Sequence, residues 1–160
     1  MSSKTKYESA DNLALQKIAP LIHQIRGERV ILDSDLARIY GVDTKSLVQA
    51  VKRNSDRFPI DFAFRLSQSE YDSLRSQFVI SKGRGGRRYL PYAFTEHGAI
   101  MAANVLNSKQ AVQMSVLVVR AFVKLRETLA THKELVDKLS ELERNRARVR
   151  TEGQQVIQDR

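Results

Sequence analysis

Residues 109–143 contain neither glycine nor proline, the two residues that most often interrupt a helix. Apolar side chains recur there at steps of three and four residues, as in Val118, Phe122, Leu125 and Leu129. This spacing places them on one face of an α-helix. A second series of apolar positions runs through Leu135, Leu139, Leu142, Val149 and Val156. The stretch therefore predicts one long C-terminal helix, and the second series is typical of a coiled coil.

Positive charge is concentrated in two short parts of the chain. The formal net charge is +9 at pH 7. Residues 45–57 and 82–88 hold eight of the sixteen Lys and Arg found in residues 1–107, but only one of the eleven Asp and Glu. The rest of that region is slightly acidic. Such a distribution predicts a polyanionic partner.

The composition excludes several classes of protein. The chain has no cysteine, so it can form neither disulfides nor thiolate metal sites. Residues 1–16 lack the apolar segment of a secretory signal. The densest apolar run, at residues 116–119, is too short to span a bilayer. We therefore expect a soluble, cytoplasmic protein that does not associate with a membrane.

Alternating patterns in the first two thirds of the chain predict short strands between short helices. The segment LIHQIRGERVIL alternates around Arg26-Gly27-Glu28, which indicates a β-hairpin. In DFAFRL, Phe62, Phe64 and Leu66 fall on one side of a half-buried strand. Further strands are predicted at residues 78–81 and 89–95, helices at residues 12–19, 67–77 and 95–106, and helix N-caps at Asp33 or Ser34, Thr44 and Thr95. This part of the chain is therefore predicted to combine short helices with short strands.

Residues 33–53 fit a helix-turn-helix. Ala37 is the small residue where the helices cross, and Gly41, four residues later, can take the positive φ that the turn needs. The packing positions are Leu36, Tyr40, Val42, Leu47 and Ala50. The second helix then presents Thr44, Lys45, Ser46, Gln49, Lys52 and Arg53. Glutamine suits adenine, and Lys and Arg suit guanine or phosphate. Two ordinary amphipathic helices joined at a glycine are the alternative.

Residues 81–88, SKGRGGRR, combine four cations with three glycines and no acid. They lie between two predicted strands and follow the helix pair, which is the order of elements in a winged helix. The cations expected to hold DNA phosphates are Lys82, Arg84, Arg87 and Arg88. The stretch lacks the pattern of a nucleotide-binding P-loop. A solvated hairpin loop is the alternative interpretation.

Long motifs in this region resemble a known family. DLARIYGV, KRNSDRFP and RGGRRYLPYAFTEHG are similar to the KilA-N-type DNA-binding domain of phages and bacterial mobile elements, and most similar to the branch named after its open-reading-frame-six N-terminal domain. The resemblance covers residues 20–107, which leaves residues 1–19 as an extension and residues 108–160 as a helical tail. It implies a winged-helix-like α+β module with short β-hairpins, acting as a transcriptional regulator or antirepressor.

The sequence offers little support for an enzyme. His97 lies in Thr95-Glu96-His97-Gly98, but successive residues of a helix do not face one another. Asp33, Asp35 and Asp61 form no recognisable metal cluster. We therefore expect no catalytic activity, no metal and no cofactor. The expected partners are double-stranded DNA and a second copy of the chain, bound through the C-terminal helix. A module that binds a repressor or another acidic protein is the alternative, and a metal-dependent nuclease is less favoured.

Overall fold

The structure, a computed structural model, describes residue 9, residues 12–77 and residues 89–158, with side chains as far as residue 153. Its strands are β1 (Ile22–Ile25), β2 (Glu28–Leu32), β3 (Ala63–Arg65) and β4 (Tyr92–Phe94), and they form an antiparallel sheet in the order β1-β2-β4-β3. Its helices are α1 (residues 12–17), α2 (Asp33–Tyr40), α3 (Thr44–Arg53), α4 (Gln68–Gln77), α5 (Glu96–Leu106) and α6 (Lys109–Gln158). The predicted α+β fold with a long C-terminal helix is confirmed.

The predicted hairpin at residues 21–32 is also confirmed. Strands β1 and β2 pair from Ile22 opposite Ile31 to Ile25 opposite Glu28. Arg26 and Gly27 connect them with φ of 56° and 74°. Two successive residues with positive φ match the right-handed twist of the strands on either side, which is why such turns close hairpins.

Strand β4 is an inner strand of the sheet, between β2 and β3, and is not one arm of a hairpin. Phe94 lies opposite Ile31 of β2 and also opposite Ala63 of β3. Ala93 likewise has a partner on each side. The predicted pairing of residues 89–95 with residues 78–81 is therefore wrong for Ala93 and Phe94, because both of their edges are already occupied. Residues 78–88 lie outside the described part of the chain.

Both faces of the sheet are covered. Ile31, Ala63 and Phe94 belong to a core shared with helices α2, α3, α5 and α6. Val30, Phe64 and Ala93 face the opposite side, where helix α4 packs partly buried side chains against them. The prediction that β3 is a half-buried strand is therefore wrong. Successive residues Ala63 and Phe64 are both buried, so the strand has no solvent-facing side there.

The chain divides into two compact units, Met1–Val123 and Lys124–Arg160. In the first unit, the start of α6 buries Val118 and Phe122 in the core. In the second unit, large apolar side chains are exposed at Leu129, Leu135, Val136, Leu139, Leu142 and Val149. None of the described helices has an apolar stretch long enough to cross a membrane.

The helix starts differ in part from the sequence prediction. Thr95 caps α5, since its Oγ1 accepts a hydrogen bond from the Gly98 N–H at 3.3 Å. The caps predicted at Asp33 or Ser34 and at Thr44 are wrong. Helices α2 and α3 begin with those residues, and the capping positions are Leu32 and Asp43, neither of which makes a side-chain cap bond. The Asp33 carboxylate instead bonds across to strand β4, as described below.

The hairpin tip is tied to helix α4 by an ion pair. Arg26 donates from Nε to Oε2 of Glu70 at 2.8 Å and from Nη2 to Oε1 at 2.9 Å. Glu70 Oε1 also accepts from the Ser67 N–H at 2.8 Å, while Ser67 Oγ accepts from the Glu70 N–H at 3.2 Å. The latter two bonds form a capping box. The Arg26 bond, followed by the Ser67 N–H, lowers the pKa of Glu70 to about 2.

We expect Glu70→Gln to destabilise the domain in a pH-dependent way. The pKa of Glu70 is lower in the folded state than the 4.5 of a free side chain. Its contribution is therefore present above that value and is lost as the pH falls towards 2. Because the pair is partly exposed, we expect a loss of roughly 0.5–1 kcal/mol at pH 7. Urea unfolding at pH 7, 4 and 2.5 should show the difference from wild type shrinking with acidity. Asp72→Asn, on the same helix, is the control, and a difference that does not change with pH would contradict the assignment.

Candidate nucleic-acid interface

Helices α2 and α3 pack against one another across a tight turn, which is the arrangement that the predicted helix-turn-helix requires. Ala37 of α2 and Leu47 of α3 are both buried in the same core. Gly41 ends α2 with a φ of 71°, a left-handed conformation that side chains with a Cβ rarely adopt. The Val42 N–H then donates to the Ala37 carbonyl at 3.0 Å, which closes the turn. The positive φ predicted for Gly41 is confirmed, and the position of Ala37 at the helix crossing stays a prediction.

Helix α3 presents a polar face to solvent. Its exposed residues include Lys45, Ser46, Gln49, Lys52 and Arg53, as predicted, while Thr44 is half-buried. At about 100° per residue, Lys45, Gln49 and Lys52 fall within an arc of about 60°. Ser46 and Arg53 lie beside one another at the edge of the face nearest Gln49. The face contains no Asp or Glu.

A cleft of about 660 Å³ lies beside this face. Its α3 wall is formed by Thr44, Lys45, Val48, Gln49 and Lys52. The facing wall is formed by Arg65, Tyr89, Leu90 and Tyr92, with Asp33 completing the lining. The structure thus brings together four of the six α3 residues predicted from sequence. Ser46 and Arg53 do not line the cleft.

The facing wall was not predicted from the sequence. Arg65 and Tyr92 are cross-strand partners in β3 and β4, and the Arg65 Cζ lies 4.6 Å from the centre of the Tyr92 ring. Tyr89 is 68% exposed. The only sequence signal for Arg65 is its polar side chain between buried Phe64 and Leu66. That alternation shows that it points away from the core, but not what lies opposite.

Asp33 fixes this wall to the helix pair. It is 4% exposed. Its Oδ2 accepts from the Tyr92 N–H at 3.1 Å, and its Oδ1 accepts from the Ser34 N–H at 2.7 Å. One carboxylate therefore joins the first turn of α2 to strand β4. This position explains why the first residue of α2 is an acid that does not cap its helix.

A comparison with known protein families gives a match to this chain. The family model of the ORF6N domain matches residues 20–105, more than half of the chain. The chain belongs to the ORF6N domain family. The matched residues include the four strands, the helix pair and both walls of the cleft, and they end just before helix α6. No curated protein and no solved structure matches the chain significantly.

The TEHG motif of the ORF6N domain has a structural role. The Thr95 N–H donates to the Phe62 carbonyl at 3.0 Å, and Thr95 Oγ1 donates to the Asp61 carbonyl at 2.9 Å. His97 stacks on the Phe62 ring with a centroid distance of 5.6 Å and an interplanar angle of 21°. These contacts attach the start of α5 to the turn before β3. Over the described ranges, no three His, Asp or Glu side chains lie close enough to hold a metal ion.

The basic stretch of the ORF6N domain at residues 81–88 cannot be compared with its prediction. Lys82, Arg84, Arg87 and Arg88 lie outside the described residues. Their contact with phosphates stays a prediction. Tyr89, which follows them directly, lines the cleft beside α3. The described chain therefore resumes, at Tyr89, beside the predicted recognition helix.

Proposed function

We propose that the ORF6N domain of this chain binds double-stranded DNA, with α3 lying in the major groove. The observation that carries the proposal is the exposed face of α3, which presents Lys45, Lys52 and Arg53 around Gln49 and contains no acid. The major groove of B-DNA accepts an α-helix and displays a distinct pattern of hydrogen-bonding groups for each base pair. A face with this charge and these amide and ammonium donors complements that groove.

The residues of this face have different roles in the proposal. Gln49 lies near the centre of the exposed arc and is suited to a bidentate contact with adenine. Lys45, Lys52 and Arg53 surround it and contact phosphates or guanine. Thr44 and Ser46, in the first turn, donate their hydroxyls to phosphate oxygens, with support from the helix dipole. Lys82, Arg84, Arg87 and Arg88, in the basic stretch at residues 81–88, add phosphate contacts.

The biological setting that we propose is the regulation of a phage or mobile element. Family membership and the resemblance to KilA-N-type domains support a transcriptional regulator or antirepressor. In this proposal the protein acts by binding, with no catalytic step, metal or cofactor. An acidic protein partner in place of DNA is the alternative that the following experiment distinguishes.

We expect Gln49→Ala to change the base preference at one position of the bound site. Loss of a good bidentate contact should reduce discrimination there by roughly 1–3 kcal/mol. Selection from a pool of random duplexes, performed with wild type and variant, measures the preference at every position. Gln113→Ala, an exposed glutamine on α6, is the matched control. An unchanged motif for Gln49→Ala would remove Gln49 from readout, and failure of the wild type to retain any duplex would contradict DNA binding itself.

We further propose that the chain forms a parallel homodimer through the second unit. Several heptad positions a and d of the sequence are apolar, namely Leu125, Leu135, Leu139, Leu142, Val149 and Val156. The remaining a and d positions of this stretch are Thr128, His132, Arg146 and Gly153. Leu135, Leu139 and Leu142 are 56%, 59% and 63% exposed in the single chain. A second helix covering this seam would remove them from water.

Charge complementarity favours the parallel arrangement. In the same heptad register, Lys138 is at position g and Glu143 at position e. Parallel, in-register helices bring Lys138 next to Glu143 of the partner subunit, and symmetry repeats the pair. An antiparallel arrangement centred on Leu139 and Leu142 would instead put Lys138 opposite an asparagine and Glu143 opposite a valine. A parallel dimer carries two DNA-binding domains at the same end of the coiled coil, as a palindromic site requires.

A further inference from the structure

We propose that one DNA backbone strand lies in the cleft beside α3 and that Arg65, held against Tyr92, binds its phosphate from the wall opposite the recognition helix. The proposal rests on the function proposed above and extends it to a surface outside the helix-turn-helix. It makes α3 one side of the DNA site and the edge of the β-sheet the other side.

The geometry of Arg65 suits a phosphate ligand. Its guanidinium stacks on Tyr92, with Cζ 4.6 Å from the ring centre. The five N–H donors of a guanidinium lie in its plane, so a stacked ring covers a face and leaves the donors available. Within the described residues, the side-chain contact of Arg65 is this ring, and no hydrogen bond or ion pair of its guanidinium is found there. A planar, stacked arginine is a common ligand of phosphate oxygens.

The charge of the cleft favours an anion. Lys45 and Lys52 line one wall and Arg65 lines the other. The acid in the lining, Asp33, is buried and accepts hydrogen bonds from two backbone N–H groups. Its single negative charge offsets only part of the charge of Lys45, Lys52 and Arg65, so the lining stays positive. Exposed Tyr89 adds an apolar surface on which a deoxyribose can pack.

The two edges of the α3 face then correspond to the two strands of a duplex. Lys52 lies towards the cleft, on the side of Arg65. Arg53 and Ser46 lie at the other edge, outside the cleft lining. A helix in the major groove has one phosphate backbone on each side. Arg65 and Lys52 contact one backbone, and Arg53 and Ser46 contact the other.

Arg65 is positioned before DNA arrives. Its strand is fixed by pairing with β4, and β4 is fixed to α2 by the bond from the Tyr92 N–H to Asp33. A side chain that is already ordered loses less conformational entropy on binding than a free surface arginine. This distinguishes Arg65 from Arg75, which lies over the Tyr71 ring at 5.7 Å but does not line the cleft.

The test compares Arg65→Ala with Arg75→Ala in the full-length chain. Both changes remove one arginine that contacts a tyrosine ring, so they affect net charge equally. Binding to a random-sequence duplex is measured at several salt concentrations. We expect Arg65→Ala to lower the slope of log K against log salt by about one unit and Arg75→Ala to leave it unchanged. Arg65→Lys should restore most of the slope, since it keeps the charge. Thermal unfolding of each variant confirms that the domain is folded.

The outcomes separate this inference from the proposed function. If wild type binds DNA and Lys52→Ala lowers the slope, while Arg65→Ala behaves as Arg75→Ala does, the inference is overturned and the function stands. If wild type binds no duplex, the function itself fails. If the chain instead binds a polyglutamate peptide and Arg65→Ala weakens that complex, the cleft is a protein-binding site and the DNA inference is overturned.

Discussion

Replacement of Gly98 by alanine is expected to destabilise the ORF6N domain strongly. A Cβ at this position would overlap the carbonyl oxygen of Phe62 and lie 2.7 Å from its carbonyl carbon. That carbonyl accepts the Thr95 N–H at 3.0 Å and, at 3.2 Å, shares the Thr95 hydroxyl proton with the Asp61 carbonyl. It cannot move aside without breaking both bonds, which hold the start of α5. We expect a loss of at least about 3 kcal/mol, above the usual cost of overpacking.

Chemical unfolding followed by circular dichroism measures this loss. Gly153→Ala is the matched control, because the added Cβ there meets no atom within 4 Å and lies on an exposed turn of α6. Alanine in a helix interior is favoured over glycine by up to about 1 kcal/mol, so the same substitution should leave stability unchanged or slightly increase it. A Gly98→Ala protein with wild-type stability would show that α5 does not approach the Phe62 carbonyl so closely.

The second large effect is expected in the C-terminal helix. Sedimentation of the full-length chain at micromolar concentration should give twice its mass of 18.2 kDa. Leu139→Lys should give the single-chain mass, because it places two ammonium groups against each other at the centre of the proposed seam. Ser140→Lys adds the same charge one residue later, outside the seam, and should remain dimeric. A wild-type chain that sediments as a monomer, with and without DNA, would disprove the dimer.

The absence of cysteine allows the helix direction to be tested as well. Leu135→Cys and Val149→Cys each introduce a single thiol at a d position. In a parallel dimer, both positions face their own counterparts, so each variant should form an interchain disulfide on oxidation. In an antiparallel dimer at most one of them can do so. Crosslinking of only one variant would therefore overturn the parallel arrangement while leaving the dimer in place.

Local rules were sufficient for much of the fold. The hairpin turn at Arg26-Gly27, the turn of the helix pair at Gly41 and the cap at Thr95 each depend on a few neighbouring residues. The exposed face of α3 follows from helical periodicity in the same way. These features could be predicted because sequence spacing and backbone conformation determine them without reference to distant parts of the chain.

Features that depend on distant pairing could not be predicted. The contact of Arg65 with Tyr92 requires the β3–β4 register, which joins residues 27 positions apart. Asp33 looked like a helix cap because the sequence does not show that its carboxylate meets Tyr92 of β4. The pairing of residues 89–95 was assigned to a neighbouring segment, whereas β4 pairs with two strands formed earlier in the chain. The α3 wall of the candidate site could therefore be predicted from the sequence, and the wall formed by the sheet could not.

The position of β4 also has a consequence for biosynthesis. Strands β2 and β3 are separated by a gap that Tyr92–Phe94 fills, yet those residues leave the ribosome after both of their neighbours. A nascent chain that has reached residue 77 contains the hairpin and the helix pair, but the inner edges of β2 and β3 have no partner. Closing the sheet then joins segments far apart in sequence, which is a slow step of folding. Until it occurs, two open strand edges are available to other chains, so this interval is when the protein is most prone to aggregate.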